Sequence, residues 1–153
     1  MMTKEQLMPF CSVDETHAML CEPWYRDGFT IATDRRILIR VPGRVDGVNE
    51  NSAAPNIKQV LDTAPADAVY EAPPIVTFYM RDRDDDGAQL WRAKPVEVGA
   101  RLFGGGYLYI VRSLPGARIQ TNGDQLDPAH FTFSGGDGML MPLRPEEKIG
   151  KTA

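Results

Sequence analysis

Around one short polar reversal this chain alternates with a period of two, and that alternation limits its possible folds more than any other feature. Phe29 and Ile31 precede Thr33-Asp34-Arg35-Arg36, and Ile37, Ile39 and Val41 follow, with polar or small residues between. Successive side chains of a strand point to opposite faces, so the pattern predicts an antiparallel hairpin, stopped by Pro42-Gly43. A second hairpin is predicted near the other end. There Phe131 and Phe133 open it, Gly135-Gly136-Asp137-Gly138 turns it, and residues 139–143 return.

Each hairpin follows a candidate helix. Residues 3–8 offer Thr3 as N-cap and Gln6 at the capping-box position, with Leu7, Met8 and Phe10 expected in the core and Pro9 limiting the helix. Residues 107–114 form an apolar helix ended by Pro115-Gly116, after a break at Gly104-Gly105-Gly106. A strand over 117–121 is stopped by Asn122-Gly123, and Arg26-Asp27-Gly28 makes a turn after Trp24-Tyr25. Both ends thus read helix, strand, reversal, strand, the order expected of a diverged internal duplication. Between them lie a loop over 43–56, a short helix over 57–63, an extended or irregular stretch over 64–74 and strands over 74–80, 89–93 and 96–103.

The chain has 153 residues, of which 42% are hydrophobic and 25% charged, enough for one domain with a real core. That domain is expected over 1–145, with 43–95 as a divergent middle segment and 146–153 as a polar tail. The net charge of −4 argues against a surface dedicated as a whole to nucleic acid. No apolar run is long enough to cross a bilayer and the N-terminus lacks an h-region, so a cytoplasmic protein without membrane contact is expected. Cys11 and Cys21 then read as reduced structural thiols.

Four pieces resemble the bacterial DNA polymerase III beta sliding clamp family, in the family's order. They are Ser12-Val-Asp-Glu-Thr-His17, Ala32-Thr-Asp-Arg-Arg-Ile-Leu38, Tyr107-Leu108 and Met141-Pro-Leu-Arg144. The resemblance implies an α+β, DNA-clamp-like domain with two helices packed on antiparallel sheets. It also implies a non-enzymatic role as a phage or prophage replication accessory or modulator. In the family, the positions of Thr33, Leu38, Met139, Met141, Pro142 and Arg144 line an apolar groove for short peptides of replication proteins. Methionine walls adapt to different side chains, which suits such a groove. Taken without the family, Met139, Met141 and Leu143 or Leu140 read as ordinary strand residues facing a core. Two departures stand out: the family's Gly-His-Arg is Arg35-Arg36-Ile37 here, and the family's chains carry three domains where this one has length for one. A ring would need about six copies, which makes a homo-oligomer part of the expectation.

The clamp family passes DNA along basic helices, but here the first helix offers Lys4 and the second Arg112. Arg35, Arg36, Arg40 and Arg44 are a denser set for phosphate contact, or else a solvated strand face. Asp82-Arg-Asp-Asp-Asp-Gly87 has calcium-loop spacing through Asp82, Asp84 and Asp86, yet the twelfth position is Ala93, so an acidic hairpin turn is expected. His17 and His130 lie far apart without metal-ligand spacing, and Ser12, Ser113 and Ser134 lack a nucleophile signature. No catalytic constellation and no cofactor are expected. The alternatives are a small metal-dependent hydrolase or nuclease using the Asp82 to Asp86 loop, or a structural phage protein that keeps only the fold.

Overall fold

In the computed structural model, the first hairpin forms where the alternation places it. The structure describes residues 2–51, 54, 68–71, 79–99, 101–121 and 127–143. Strand β2 (Phe29–Thr33) pairs antiparallel with β3 (Ile37–Pro42), with Ala32 opposite Ile39 and Thr33 opposite Leu38. Before them β1 (Trp24–Arg26) pairs with β2 across a two-residue turn at Asp27 and Gly28, both at positive φ.

Helix α1 (Lys4–Leu7) carries the capping box: Gln6 N–H donates to Thr3 Oγ1, and Thr3 N–H donates to Gln6 Oε1. Two 3-10 turns follow, Met8–Phe10 and Glu15–Leu20. Leu7 and Phe10 are buried as expected, but Met8 is 40% exposed, because the tighter turn forced by Pro9 rotates it away from the sheet.

Strand β4 (Ala68–Glu71) is an edge strand. The ribbon β5 (Tyr79–Arg83) and β6 (Gln89–Ala93) stands apart from the main sheet, as does a small hairpin of β7 (Pro95–Val98) and β8 (Arg101–Gly104). That last pair corrects the single strand expected over 96–103. The chain reverses at Gly99, which has a φ of 58°, and Val98 pairs with Arg101. Apolar alternation reads the same in one strand or in a hairpin, so the glycine was the only local mark of the reversal.

Helix α2 (Gly105–Arg112) begins two residues before its expected start. Gly105 is buried in the first turn, and its N–H donates to Lys94 O at 2.8 Å, so the glycines join the helix instead of breaking it. Strands β9 (Arg118–Thr121), β10 (Ala129–Phe133) and β11 (Gly136–Leu140) complete the main sheet.

The turn between β10 and β11 also differs from expectation. It lies at Ser134-Gly135, and Phe133 pairs directly with Gly136. Gly136 and Gly138 are strand residues because β11 crosses β3 closely. A Cβ on Gly138 would sit 2.1 Å from Leu38 O, and one on Gly136 would sit 2.2 Å from Arg40 O.

The seven-stranded sheet has the order β1-β2-β3-β11-β10-β9-β4. It is antiparallel throughout, and the six strands from β1 to β9 are palindromic around the β3·β11 seam. One face carries the core: Leu7, Phe10, Leu108 and Val111 pack on Ile39, Ile119, Phe131 and Leu140. Each such side chain stabilises the fold by about 1.5–3 kcal/mol through burial. The protein is thus mostly antiparallel sheet with two short helices, an α+β arrangement. The expected helix over 57–63, most of the stretch over 64–74, the start of the strand over 74–80 and the tail lie outside the described residues.

Candidate functional site

The two halves of the chain meet at the tip of the first hairpin. Thr33 Oγ1 donates to Ile37 O at 2.7 Å and accepts Arg35 N–H at 3.0 Å. Asp34 Oδ1 accepts the N–H groups of Arg36 and Ile37 at 2.8 and 3.0 Å. The other carboxylate oxygen accepts the Tyr107 hydroxyl at 2.7 Å, a contact across 73 residues that ties α2 to the turn. Burial, then this hydrogen bond, pushes the Tyr107 hydroxyl pKa up. Arg35 closes the turn with a φ of 81°, a left-handed conformation in which glycine is at ease and a side chain is strained.

From this tip a row of side chains crosses the outer face of the sheet. Cross-strand partners share a face, so Thr33, Leu38, Met139 and His130 stand side by side on β2, β3, β11 and β10. Leu140 is 1% exposed and belongs to the core, whereas Met139 is half-buried and Met141 is 43% exposed. The Met141 N–H donates to Arg36 O at 2.8 Å, which prolongs the β3·β11 edge before Pro142 leads away. Of the six expected groove residues, Thr33, Leu38 and Met139 share one row of the outer face, with Thr33 buried and the other two half-buried. Met141 extends that end of the sheet, and Pro142 follows after the strand has ended. Arg144 is outside the described residues. The ordinary core reading holds for Leu140 and fails for Met139 and Met141, which point the other way.

One row further along is a charged cluster that straddles the seam. Arg40 donates to both carboxylate oxygens of Asp137, at 3.0 and 2.9 Å, and His130 Nε2 lies 3.1 Å from Oδ2. The Arg40 guanidinium also lies 4.6 Å from the centre of the Phe29 ring. Burial pushes the Asp137 carboxyl up, but the hydrogen bonds from His130 and Arg40 outweigh it and hold the group below the ordinary carboxylate range. Sequence reasoning missed this cluster. Asp137 sits in a glycine-rich run that reads as a turn, and no local signal links it to an arginine 97 residues away.

The basic residues do not gather into one patch. Arg40 is spent on Asp137, Lys4 pairs with Glu22 at 3.8 Å, and Arg44 Nε donates to Val48 O at 2.8 Å. Arg35 and Arg36 stand at the hairpin tip, separated from Arg44 by the length of β3, roughly 20 Å. Arg112 is exposed in the last turn of α2.

The acidic loop is a hairpin turn. Asp84 Oδ1 accepts the N–H groups of Asp86 and Ala88 at 3.0 and 2.8 Å, Gly87 has a φ of 82°, and Asp82 pairs with Arg92. The Arg83 N–H and then the Arg92 side chain lower the Asp82 carboxyl pKa. Asp82 and Asp84 thus spend carboxylate oxygens on the ribbon itself, Asp86 stays exposed, and no group of three metal-ligating side chains gathers among the described residues.

Cys11 and Cys21 are free thiols. Burial, then the neighbouring Cys21, pushes the Cys11 thiol up to about 11, so it stays protonated and poorly nucleophilic near neutral pH. An unanticipated concavity of about 710 Å³ lies on the helical side, lined chiefly by Phe10, Tyr109, Ile110, Leu114 and Phe133. It forms where elements from both chain ends meet, so neither segment announces it alone. Among the described residues no helix is long and apolar enough to cross a membrane.

Comparison with known proteins returns no match: none to a protein-family model, a curated protein or a solved structure.

Proposed function

We propose that this chain is a clamp-like, non-enzymatic binding domain, a cytoplasmic accessory or modulator of phage or prophage DNA replication. Its ligands in this reading are short apolar peptides of replication proteins, laid along Thr33, Leu38, Met139, Met141 and Pro142. The observation that carries it is the split at the end of β11: Leu140 enters the core while Met139 stands beside Leu38 on the outer face and Met141, hydrogen-bonded to Arg36, is exposed. An exposed Met141 and a half-buried Met139, both adaptable side chains next to a rigid hairpin, suit peptide capture.

Two further features fit the same reading. The palindromic strand order, with a helix preceding each half, is what a diverged duplication builds. The positive φ of Arg35 falls at the position where the clamp pattern has glycine. The hydrolase alternative draws no support from the geometry, since Asp82 and Asp84 are engaged within the ribbon.

Met141→Asp tests the reading. Because Met141 is 43% exposed, the variant keeps its stability within about 0.5 kcal/mol. It loses binding of fluorescent replication-protein peptides, measured by anisotropy. Undiminished peptide binding in the variant, or no binding by the parent chain, overturns the proposal. Light scattering after size exclusion reports separately whether about six chains assemble into a ring.

A further inference from the structure

The β5–β6 ribbon presents two faces of different chemistry. Register places Arg81 opposite Trp91 and Arg83 opposite Gln89, so these four positions share one face. Asp82, Leu90 and Arg92 lie on the other, where Asp82 and Arg92 pair. The acid within the strands is therefore turned away from the Trp91 face, which carries two guanidinium groups.

Trp91 is 65% exposed, an open position for so large an aromatic side chain. The Arg81 guanidinium lies 5.5 Å from its ring centre. Arg83 uses one N–H to close the loop on Gly87 O at 2.9 Å, out of the five a guanidinium offers. Arg81 and Arg83 are two strand residues apart, roughly 6.7 Å, a reach comparable to that between successive phosphates of an extended single strand. Asp85 and Asp86 are exposed at the tip, which directs a polyanion along the strands and not over the turn.

We infer that the Trp91 face of this ribbon is a contact site for single-stranded nucleic acid. One base stacks on the indole, and the flanking phosphates pair with Arg81 and Arg83. A protein-binding tryptophan is ordinarily ringed by contacts that exclude water, whereas Trp91 is 65% exposed with Arg81 directly opposite and Arg83 and Gln89 on the side toward the turn. Exposed aromatic surface bordered by cations is instead what a base and its phosphates require. A duplex hides its base faces, so it lacks the stacking contact. The inference stands apart from the peptide surface described above, and its test uses a different ligand.

The chain has two tryptophans, and Trp24 is only 3% exposed, so quenching by a stacked base reports Trp91. The test titrates the full chain with labelled oligothymidylate and with a duplex of equal length, reading tryptophan emission and anisotropy. Oligothymidylate quenches the emission and binds more tightly than the duplex. Two phosphate contacts give a slope of about −1.4 in log affinity against log salt. Trp91→Ala weakens binding on the order of tenfold or more, Trp91→Phe keeps most of it, and Arg81→Gln with Arg83→Gln flattens the salt slope. Trp24 emission and circular dichroism stay unchanged in these variants.

Absence of quenching at low salt overturns the inference, as does equal affinity for the duplex or unaltered binding by Trp91→Ala. Self-association that disappears in Trp91→Ala, with no response to the oligonucleotide, makes the ribbon a protein contact and also overturns it.

Discussion

The two halves of the main sheet share an order but not a burial pattern. In the half built from α1 and β1 to β3, strand β2 is covered on both faces, with Thr30, Ile31, Ala32 and Thr33 all buried. In the half built from α2 and β9 to β11, strand β10 alternates strictly and buries one face. The difference traces to residues 12–23, which separate α1 from β1 and include the second 3-10 turn. Leu20 from that turn joins Trp24, Ile31 and Ala54 in a small second cluster on the outer face. The other half has no such cover among the described residues, and Met139, His130 and Asp137 remain half-exposed there. An insertion on one side of a near-symmetric sheet thus covers β2, Thr33 included, and leaves the outer face more open from Leu38 and Met139 across the other half. That is where binding residues can stand without costing the core.

The largest effect that tests this contrast is truncation of the shared core. Phe131→Ala should cost about 3–5 kcal/mol in urea unfolding, whereas Ile31→Ala in the small outer cluster should cost about 2 kcal/mol. Equal losses would mean that the outer cluster is as cohesive as the core.

Next comes the charged bridge across the seam, which joins Arg40 of the first half to Asp137 of the second. The Asp137 pKa is lowered on folding, so its stabilisation is fully present above the ordinary value of 3.8 and is lost as pH falls through the folded value. Asp137→Asn should therefore cost about 2 kcal/mol at neutral pH, with the gap to the parent chain closing in acid. A gap independent of pH would show that the carboxylate charge is not what joins the halves.

The smallest effect has the opposite sign. Arg35→Gly relieves a left-handed backbone and should raise stability by about 0.5–1 kcal/mol, read as a rise in melting temperature. Loss of stability would mean that the Arg35 side chain holds the hairpin tip in a way its backbone angle does not reveal.

Much of the local structure is legible before folding. The Thr3 capping box, the β2–β3 pairing, the Asp27-Gly28 reversal and the β5–β6 turn all come from residue chemistry within a few positions. Three of the misreadings share one cause. Glycines at 105, 136 and 138 look like breaks, but one is buried in a helix turn and two let β11 approach β3. Close approach is a property of the partner, which the glycine's own neighbours do not encode. The candidate site divides similarly: exposure of Met141 could not be told from burial, because a strand carries the same period on both faces.

By itself, then, the sequence determined where most strands and helices form, since propensity, capping and turn chemistry act over a few residues. The tertiary structure decided which face each alternating set would take. Ile37, Ile39 and Val41 turn inward, while Phe29 and Ile31 of the paired strand turn outward beside Leu20 or Arg40. It also decided which charges meet, bringing Arg40 to Asp137 and Tyr107 to Asp34. Period-two alternation leaves the face undetermined, and only the pairing of distant strands across β3 and β11 removes that freedom.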